Sequence, residues 1–164
     1  DASPFPPMSI HWPIIRRCLR APFRPAIIDD QRVYRAIDVL VAASHVASSI
    51  QARCASPTVG LLLPTSGAFP IAALAGWMVG KTVVPLNYLL KPEELQYVVD
   101  DSGVDTIVSV KPMLDFLGAA PRVPSILRMD QIDFKSMPDI RWPAAAADDD
   151  GIRTRRQAAE VLGR

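Results

Sequence analysis

Proline stands at 16 positions of this 164-residue chain, roughly twice the usual share of about 5%. Each proline removes a backbone N–H and restricts the residue before it, so proline spacing limits how far any helix or strand can run. Six fall in the first 25 residues: Pro4, Pro6, Pro7, Pro13, Pro22 and Pro25. That density predicts an extended or irregular lead-in over residues 1–24, without regular helix. The chain opens on Asp1 and its first methionine is Met8, so residues 1–7 are expected to be upstream or added sequence. Ile14 and Ile15, followed at once by Arg16 and Arg17, are too short an apolar run for a secretory signal, and none is expected.

From Pro25 onward the apolar residues become periodic. Ala26, Ile27 and Ile28 read as a strand, Asp29 to Gln31 as a turn, and Arg32, Val33 and Tyr34 as a returning strand, which together predict a short hairpin. Residues 35–52 shift to helical spacing, with Ile37, Leu40, Val41, Ala47 and Ile50 on the apolar side and Asp38, His45 and Ser49 opposite. His45 is therefore expected on the surface. Pro57 closes that helix, and residues 59–63 form the continuous apolar run of a strand buried on both faces. Pro64 stops the run, and Thr65 and Ser66 are N-cap types for a helix reaching about Gly80.

Thr82, Val83 and Val84 predict another buried strand, closed by Pro85. Lys91, Pro92, Glu93 and Glu94 then open a helix with proline and two acids in its first turn, and Gly103 is suited to stop it. Residues 105–110 supply a strand, 113–117 a short helix, and 125–129 a further strand after the turn marked by Pro121 and Pro124. The alternation of strand and helix predicts an α/β fold built from right-handed βαβ units around a parallel sheet, with flanking helices. The expected organisation is a lead-in over 1–24, an α/β subdomain over 25–133, a linker over 134–150 and a basic tail over 151–164.

Length allows one domain or a piece of a larger one, and 49% hydrophobic against 21% charged residues supplies enough apolar mass for a core. Eighteen basic and 17 acidic side chains leave a formal charge of +1. No large field of one sign therefore favours nucleic acid or an anionic membrane. The charge-free stretch between Arg53 and Lys81 is long enough to cross a bilayer of about 30 Å, but Pro57, Pro64, Thr65, Ser66, Gly67 and Pro70 split it into pieces too short to span. No transmembrane segment is expected. Cys18 and Cys54, without a CxxC or nearby histidines, fit ordinary thiols in a reducing, cytoplasmic setting. His11 and His45 are the only imidazoles and stand apart, which argues against a histidine metal site or a Ser-His-Asp triad.

Several residues invite a chemical reading, and each also has a plainer one. Pro64, Thr65, Ser66 and Gly67 form a strand-to-helix turn whose free N–H groups suit an anion, yet a phosphate-cradling loop needs more glycines and a lysine followed by Ser or Thr. A capped helix start accounts for them. Ser66 lacks the glycine at position 64 that a nucleophile elbow requires. Glu93 and Glu94 sit where the helix dipole already favours acids. Trp77 and Met78 read as core. Asn87 and Tyr88 follow the carboxyl end of a parallel strand, where open α/β sheets place ligand crevices, although turn chemistry explains Asn87 equally well. Residues alone give no catalytic residue, no metal ligand and no assignable cofactor contact.

The motifs do carry a resemblance. Pro25 to Asp29 resembles a P-A-(L/I)-(I/V)-D strand, and Val33 to Ile37 the turn that follows it, without that turn's usual Thr and Glu. Val59, Gly60, Leu61, Leu62, Leu63, Pro64, Thr65 and Ser66 are similar to a V-A-L-L-L-P-N-S strand. Residues 77–87 resemble L-K-A-G-A-V-V-V-P-L-N, and residues 90–103 resemble L-x-P-E-E-L-x-Y-x-L-x-D-S-G. In this order, over residues 25–110, these motifs resemble the N-terminal portion of the adenylate-forming, AMP-binding superfamily of acyl-CoA and acyl-carrier-protein synthetases and peptide-synthetase adenylation domains.

The resemblance implies a ligase that joins a carboxylic acid to ATP with release of pyrophosphate and passes the acyl group to a thiol of CoA or a carrier protein. ATP and Mg²⁺ are the implied cofactors of the full-length family, and a fatty acid the expected acid. Phosphate-loop amides, the metal and a lysine would stabilise the charge that develops. That loop, Y-T-S-G-T-T-G-x-P-K-G, is expected just after Asp148, Asp149 and Asp150, and this sequence does not contain it. The expectation is thus a truncated N-terminal portion, not competent for adenylation alone, with little affinity for ATP or Mg²⁺. Residues 154–162, back-translated and shifted by one base, permit Tyr-Thr-Ser, three small residues and Gly-Ser-Pro, so a frameshifted end over 151–164 is a further expectation. The alternative expectation is a non-catalytic α/β interaction module that self-associates or pairs with a complementary chain through exposed sheet edges.

Overall fold

A computed structural model of the protein describes residues 10–30, 32–135 and 137–140. Helix α1 (His11–Arg20) leads into a hairpin of β1 (Pro25–Ile28) and β2 (Val33–Arg35), followed by the long helix α2 (Ala36–Arg53). The rest alternates: β3 (Thr58–Leu62), α3 (Ala68–Met78), β4 (Thr82–Pro85), α4 (Pro92–Asp101), β5 (Thr106–Ser109), α5 (Lys111–Leu117) and β6 (Ser125–Arg128), ending in a single 3₁₀ turn over Met129–Gln131. The four later strands form one parallel sheet in the order β4-β3-β5-β6, and β1 and β2 form a separate antiparallel pair. The fold is the expected α/β arrangement, with five helices around a four-stranded parallel sheet.

Strand alternation sends side chains to opposite faces, and both faces are covered. Val59, Leu61 and Leu63 join Val108 and Leu127 in a core shared with α1, α2 and α3. Leu62 and Ile107 point the other way, into a core with Leu95 and Val99 of α4 and Met113 of α5. This double burial is why residues 59–63 read as an unbroken apolar run. The charge-free stretch after Arg53 resolves the same way: it is a buried strand followed by an 11-residue helix, about 16 Å long. Among the described residues no helix is long and apolar enough to cross a membrane.

Two sequence expectations fail. Residues 1–24 were expected to be irregular, yet residues 11–20 are helical, and Ile15 and Cys18 of α1 are buried. Pro13 lies in the first turn, where backbone N–H groups have no intrahelical partner to lose, and Pro22 and Pro25 fall beyond the end. The second failure is the orientation of α2. Ala36, Val39, Ala43, Val46, Ala47 and Ile50 face inward, whereas Val41 is 47% exposed. Ala47 and Ile50 are buried as expected, but Ala36 and Ala43, absent from the expected face, mark the side on which helices pack closely. His45, expected on the surface, is only 5% exposed because Phe134 folds back onto it, with ring centroids 5.2 Å apart.

Of the expected linker over 134–150, Phe134 and Ile140 pack against the body of the fold. Residues 141–150, the basic tail over 151–164 with its proposed frameshift, and residues 1–9 lie outside the described residues.

The amino-terminal end of the sheet is tied by a polar knot. Asp105 Oδ2 accepts from the backbone amides of Ala55 (2.9 Å) and Ser56 (2.7 Å). Ser56 Oγ donates to the Gly103 carbonyl (2.7 Å), while Lys81 Nζ donates to the carbonyls of Cys54 (2.9 Å) and Ser56 (2.6 Å). Burial pushes the Asp105 carboxyl up, but the Ser56 and Ala55 amides, with the Cys54 thiol and Thr106 hydroxyl beside it, outweigh that and hold it below the usual range. Its stabilisation is therefore complete above the unfolded value, near 3.9, and is lost as pH falls through the folded one. Asp105→Asn should lower stability by roughly 1–3 kcal/mol near pH 7, and the difference from the parent should shrink toward about pH 3. Urea unfolding at the two pH values measures both.

Candidate functional site

In an open parallel sheet the ligand crevice lies beyond the carboxyl ends of the strands, where the chain reverses its direction of winding. Here β3 connects to β4 on one side, and β5 then enters on the other side of β3, so the reversal falls between β3 and β5. The residues it places there are those after Leu62 and after Ser109. Asn87 and Tyr88, singled out from the sequence, follow edge strand β4 instead. Asn87 Oδ1 accepts from the Leu89 amide (3.0 Å), and Tyr88 stacks edge-on against Phe116 at 6.2 Å. Asn87 thus performs turn chemistry.

The floor of the crevice is closed by Ser109, whose buried hydroxyl donates to the Leu62 carbonyl at 2.7 Å. Beyond it lies the turn of Pro64 to Gly67, expected to offer free N–H groups. The Gly67 amide is already engaged: it donates to Asp29 Oδ2 at 2.9 Å, from the hairpin turn 38 residues earlier. Ser66 Oγ accepts from the Ala68 amide at 3.3 Å, a local cap that leaves the serine in a structural role. The anion of this helix start is supplied by the chain itself.

Asp29 is held in turn by its own hairpin, where Oδ1 accepts from the Arg32 amide at 2.9 Å. The Arg32 guanidinium lies 4.0 Å from the centre of the Tyr34 ring. Burial and then the Asp29 charge raise the Tyr34 phenol above its ordinary value, against the opposing pull of Arg32. Gly67 is required by this arrangement: a Cβ there would stand 2.4 Å from Tyr34 Cε2 and 2.7 Å from Cζ. A nucleotide phosphate brought to the Gly67 amide would meet the Asp29 carboxylate already bound there. Among the described residues no group of three His, Cys, Asp or Glu side chains is placed to hold a metal. No step through the ATP and Mg²⁺ implied by the resemblance is derived from the described residues.

On the β5 side the charges neutralise one another. Lys111 Nζ pairs with Asp115 at 2.7 Å, both well exposed, and the Lys111 amide donates to Asp130 Oδ1 at 3.0 Å. Asp130 also takes the Arg128 guanidinium, which holds its carboxyl below the usual range. Such exposed pairs contribute little stability.

The remaining candidates are structural. Glu94 Oε2 accepts from the Lys91 amide (3.1 Å) and caps α4, and Glu93 is exposed beside it. Met78 is buried and Trp77 partly so. Burial raises the thiols of Cys18 and Cys54, for Cys54 with the neighbouring Asp105 adding to it, which disfavours the thiolate form. His11 is buried beside Trp12, and desolvation lowers its pKa.

One cleft escaped sequence reasoning. A cavity of about 250 Å³ is bordered by His45, Ser49, Arg53, Arg128 and Gln131. It forms because the residues after β6 fold over α2, more than 80 positions away in sequence, and no local pattern signals it. Ser49 Oγ donates to the His45 carbonyl at 3.0 Å and the His45 ring faces Phe134.

The comparisons with known proteins agree with this geometry. The model of the family described as AMP-binding enzyme matches residues 15–160. No curated protein matches the chain. Among solved structures, the N-terminal subdomain of Klebsiella oxytoca NpsA in complex with 3-hydroxybenzoyl-AMSN is similar at 21% identity and a TM-score of 0.68, over 86% of this chain and 36% of that one. O-succinylbenzoate coenzyme A synthetase from Bacillus subtilis is similar at 19% identity and a TM-score of 0.63, over 80% of this chain and 29% of that one. A fatty acyl CoA synthetase from Mycobacterium tuberculosis gives 19%, 0.64, 87% and 31% in the same terms. These likenesses concern the fold, and the chain spans about a third of the length of each protein.

Gly67→Ala should destabilise the fold by about 1–3 kcal/mol through the clash with Tyr34. In a Tyr34→Ala background the same change should cost markedly less, and a double-mutant cycle in urea reads the coupling.

Proposed function

Because the chain belongs to the AMP-binding enzyme family, whose members form adenylates, we propose that it is the N-terminal part of an ATP-dependent acid–thiol ligase. In this reading the complete enzyme adenylates a carboxylic acid, a fatty acid in our preferred version, and passes the acyl group to CoA or an acyl carrier protein in the cytoplasm. One observation carries the reading: the family match spans residues 15–160 on a parallel sheet wound as in the solved structures. These 164 residues supply the scaffold and not the chemistry. Their strand-to-helix turn is filled by Asp29, and the sequence contains no phosphate loop.

A second reading is a non-catalytic module that self-associates or pairs with a complementary chain. It is supported by β6, which among the described residues pairs only with β5 and leaves one sheet edge open.

Three measurements test these readings. Pyrophosphate exchange into ATP, assayed over a panel of fatty acids, should show no acid-dependent turnover with this chain alone; turnover above the enzyme-free rate would defeat the inactivity claim. Translating the encoding DNA from codon 140 in all three frames should reveal a Thr-Ser-Gly-rich loop ending in Pro-Lys-Gly, and a chain extended through it should catalyse the exchange. If every frame lacks that loop, the interaction module becomes the better reading, and light scattering should then find an oligomer.

A further inference from the structure

The formal charge of +1 conceals a strong segregation. Residues 10–35 hold six arginines against two aspartates, whereas residues 36–140 hold seven basic and ten acidic side chains. The basic end is α1 with the hairpin, and α1 uses its two sides differently. His11, Ile15 and Cys18 are buried. Trp12, Arg16, Leu19 and Arg20, at helical spacings of four, three and one, share an exposed arc. Phe23 and Arg24 extend it into the turn that follows.

The apolar members of this arc are unusually open, with Trp12 43% exposed, Leu19 56% and Phe23 74%. Among the described residues, none of Arg16, Arg20 and Arg24 takes part in a salt bridge. Large apolar side chains this exposed, beside guanidiniums that form no ion pair among the described residues, are unusual on a surface that meets only water. They suit a boundary that is anionic at its face and hydrocarbon just beneath, where the apolar groups leave water and the guanidiniums stay with phosphate. Nucleic acid would satisfy the arginines but give Leu19 no apolar environment. A 10-residue helix is about 15 Å long, so it would lie in the plane of a bilayer and not cross it.

We propose that the exposed arc of α1 and the turn after it form a peripheral docking surface for a bilayer containing anionic lipid, with Trp12, Leu19 and Phe23 entering the interface and Arg16, Arg20 and Arg24 meeting headgroup phosphates. The proposal does not depend on the adenylation reading. It also explains why basic and apolar side chains concentrate on one short segment beside residues 36–140, where acids outnumber bases.

Co-sedimentation of the intact 164-residue chain with vesicles tests it, comparing pure phosphatidylcholine with a mixture containing about 30% phosphatidylglycerol. At about fivefold per arginine, the three arginines should favour the anionic vesicles by roughly 100-fold at about 0.05 M salt, and most of that preference should vanish near 0.5 M. Arg16→Gln combined with Arg20→Gln should weaken anionic binding more than tenfold, and Trp12→Ser with Leu19→Ser should weaken it without changing the salt dependence. All four positions are exposed, and circular dichroism verifies that each variant keeps its fold; the salt series on the parent chain needs no variant. Absence of binding, equal binding to both vesicles, or folded variants that bind like the parent would overturn the proposal. So would tighter binding to a single-stranded oligonucleotide than to the anionic vesicles, or an arc-dependent dimer without lipid binding.

Discussion

Much of this fold is arranged around a helix that keeps almost no solvent face of its own. α3 is hydrophobic on all sides, with Ile71, Ala72, Ala73, Leu74, Ala75, Gly76 and Met78 buried, so it must be covered both by the sheet beneath and by another helix above. Its small residues let it settle closely onto the sheet: a Cβ on Gly76 would lie 2.8 Å from Val83 Cγ2. α2 provides the outer cover and presents Ala36, Ala43 and Ala47 inward. α2 is itself flanked by α1 and by the residues after β6, which is how segments distant in sequence come to share one core.

Much of this order was legible in the sequence, because proline and glycine mark where elements stop and apolar runs mark what lies between. The strands at 59–63 and 82–84, the start of α4 at Pro92 and the stop at Gly103, where φ is +65°, followed from local chemistry alone. What escaped was whatever depends on a second segment. The inward face of α2 is chosen by close helix packing, which favours alanine and defeats a ranking by side-chain size. The burial of His45 requires Phe134, and α1 required recognising that a proline in a first turn breaks nothing. The bond from Asp29 to Gly67 spans 38 residues, and neither end carries a sign of the other.

That bond also explains why the family resemblance was readable while the chemistry was not. The motifs that match are instructions for packing: a strand buried on both faces, a turn that admits an aromatic ring, a glutamate that caps a helix. Glu94 and Gly67 are needed for the backbone to take this course whether or not a substrate is ever bound. The loop geometry that looks receptive to a phosphate is satisfied from within, and the charges on the opposite strand pair with each other. A family signature can therefore identify a scaffold with confidence while naming no reacting group.

The order of the strands has a consequence for how the molecule is made. β3 is the centre of the sheet, yet the partner on its far side is β5, and the Ser109 hydroxyl that closes onto Leu62 lies 47 residues downstream. During synthesis at about 5–20 residues per second, one edge of the most apolar strand in the chain waits several seconds for its neighbour to emerge. Over that interval the nascent chain presents the kind of open, flat edge that recruits other strands. The inner strand thus stays unpaired on one side after β4 has docked and until β5 is complete.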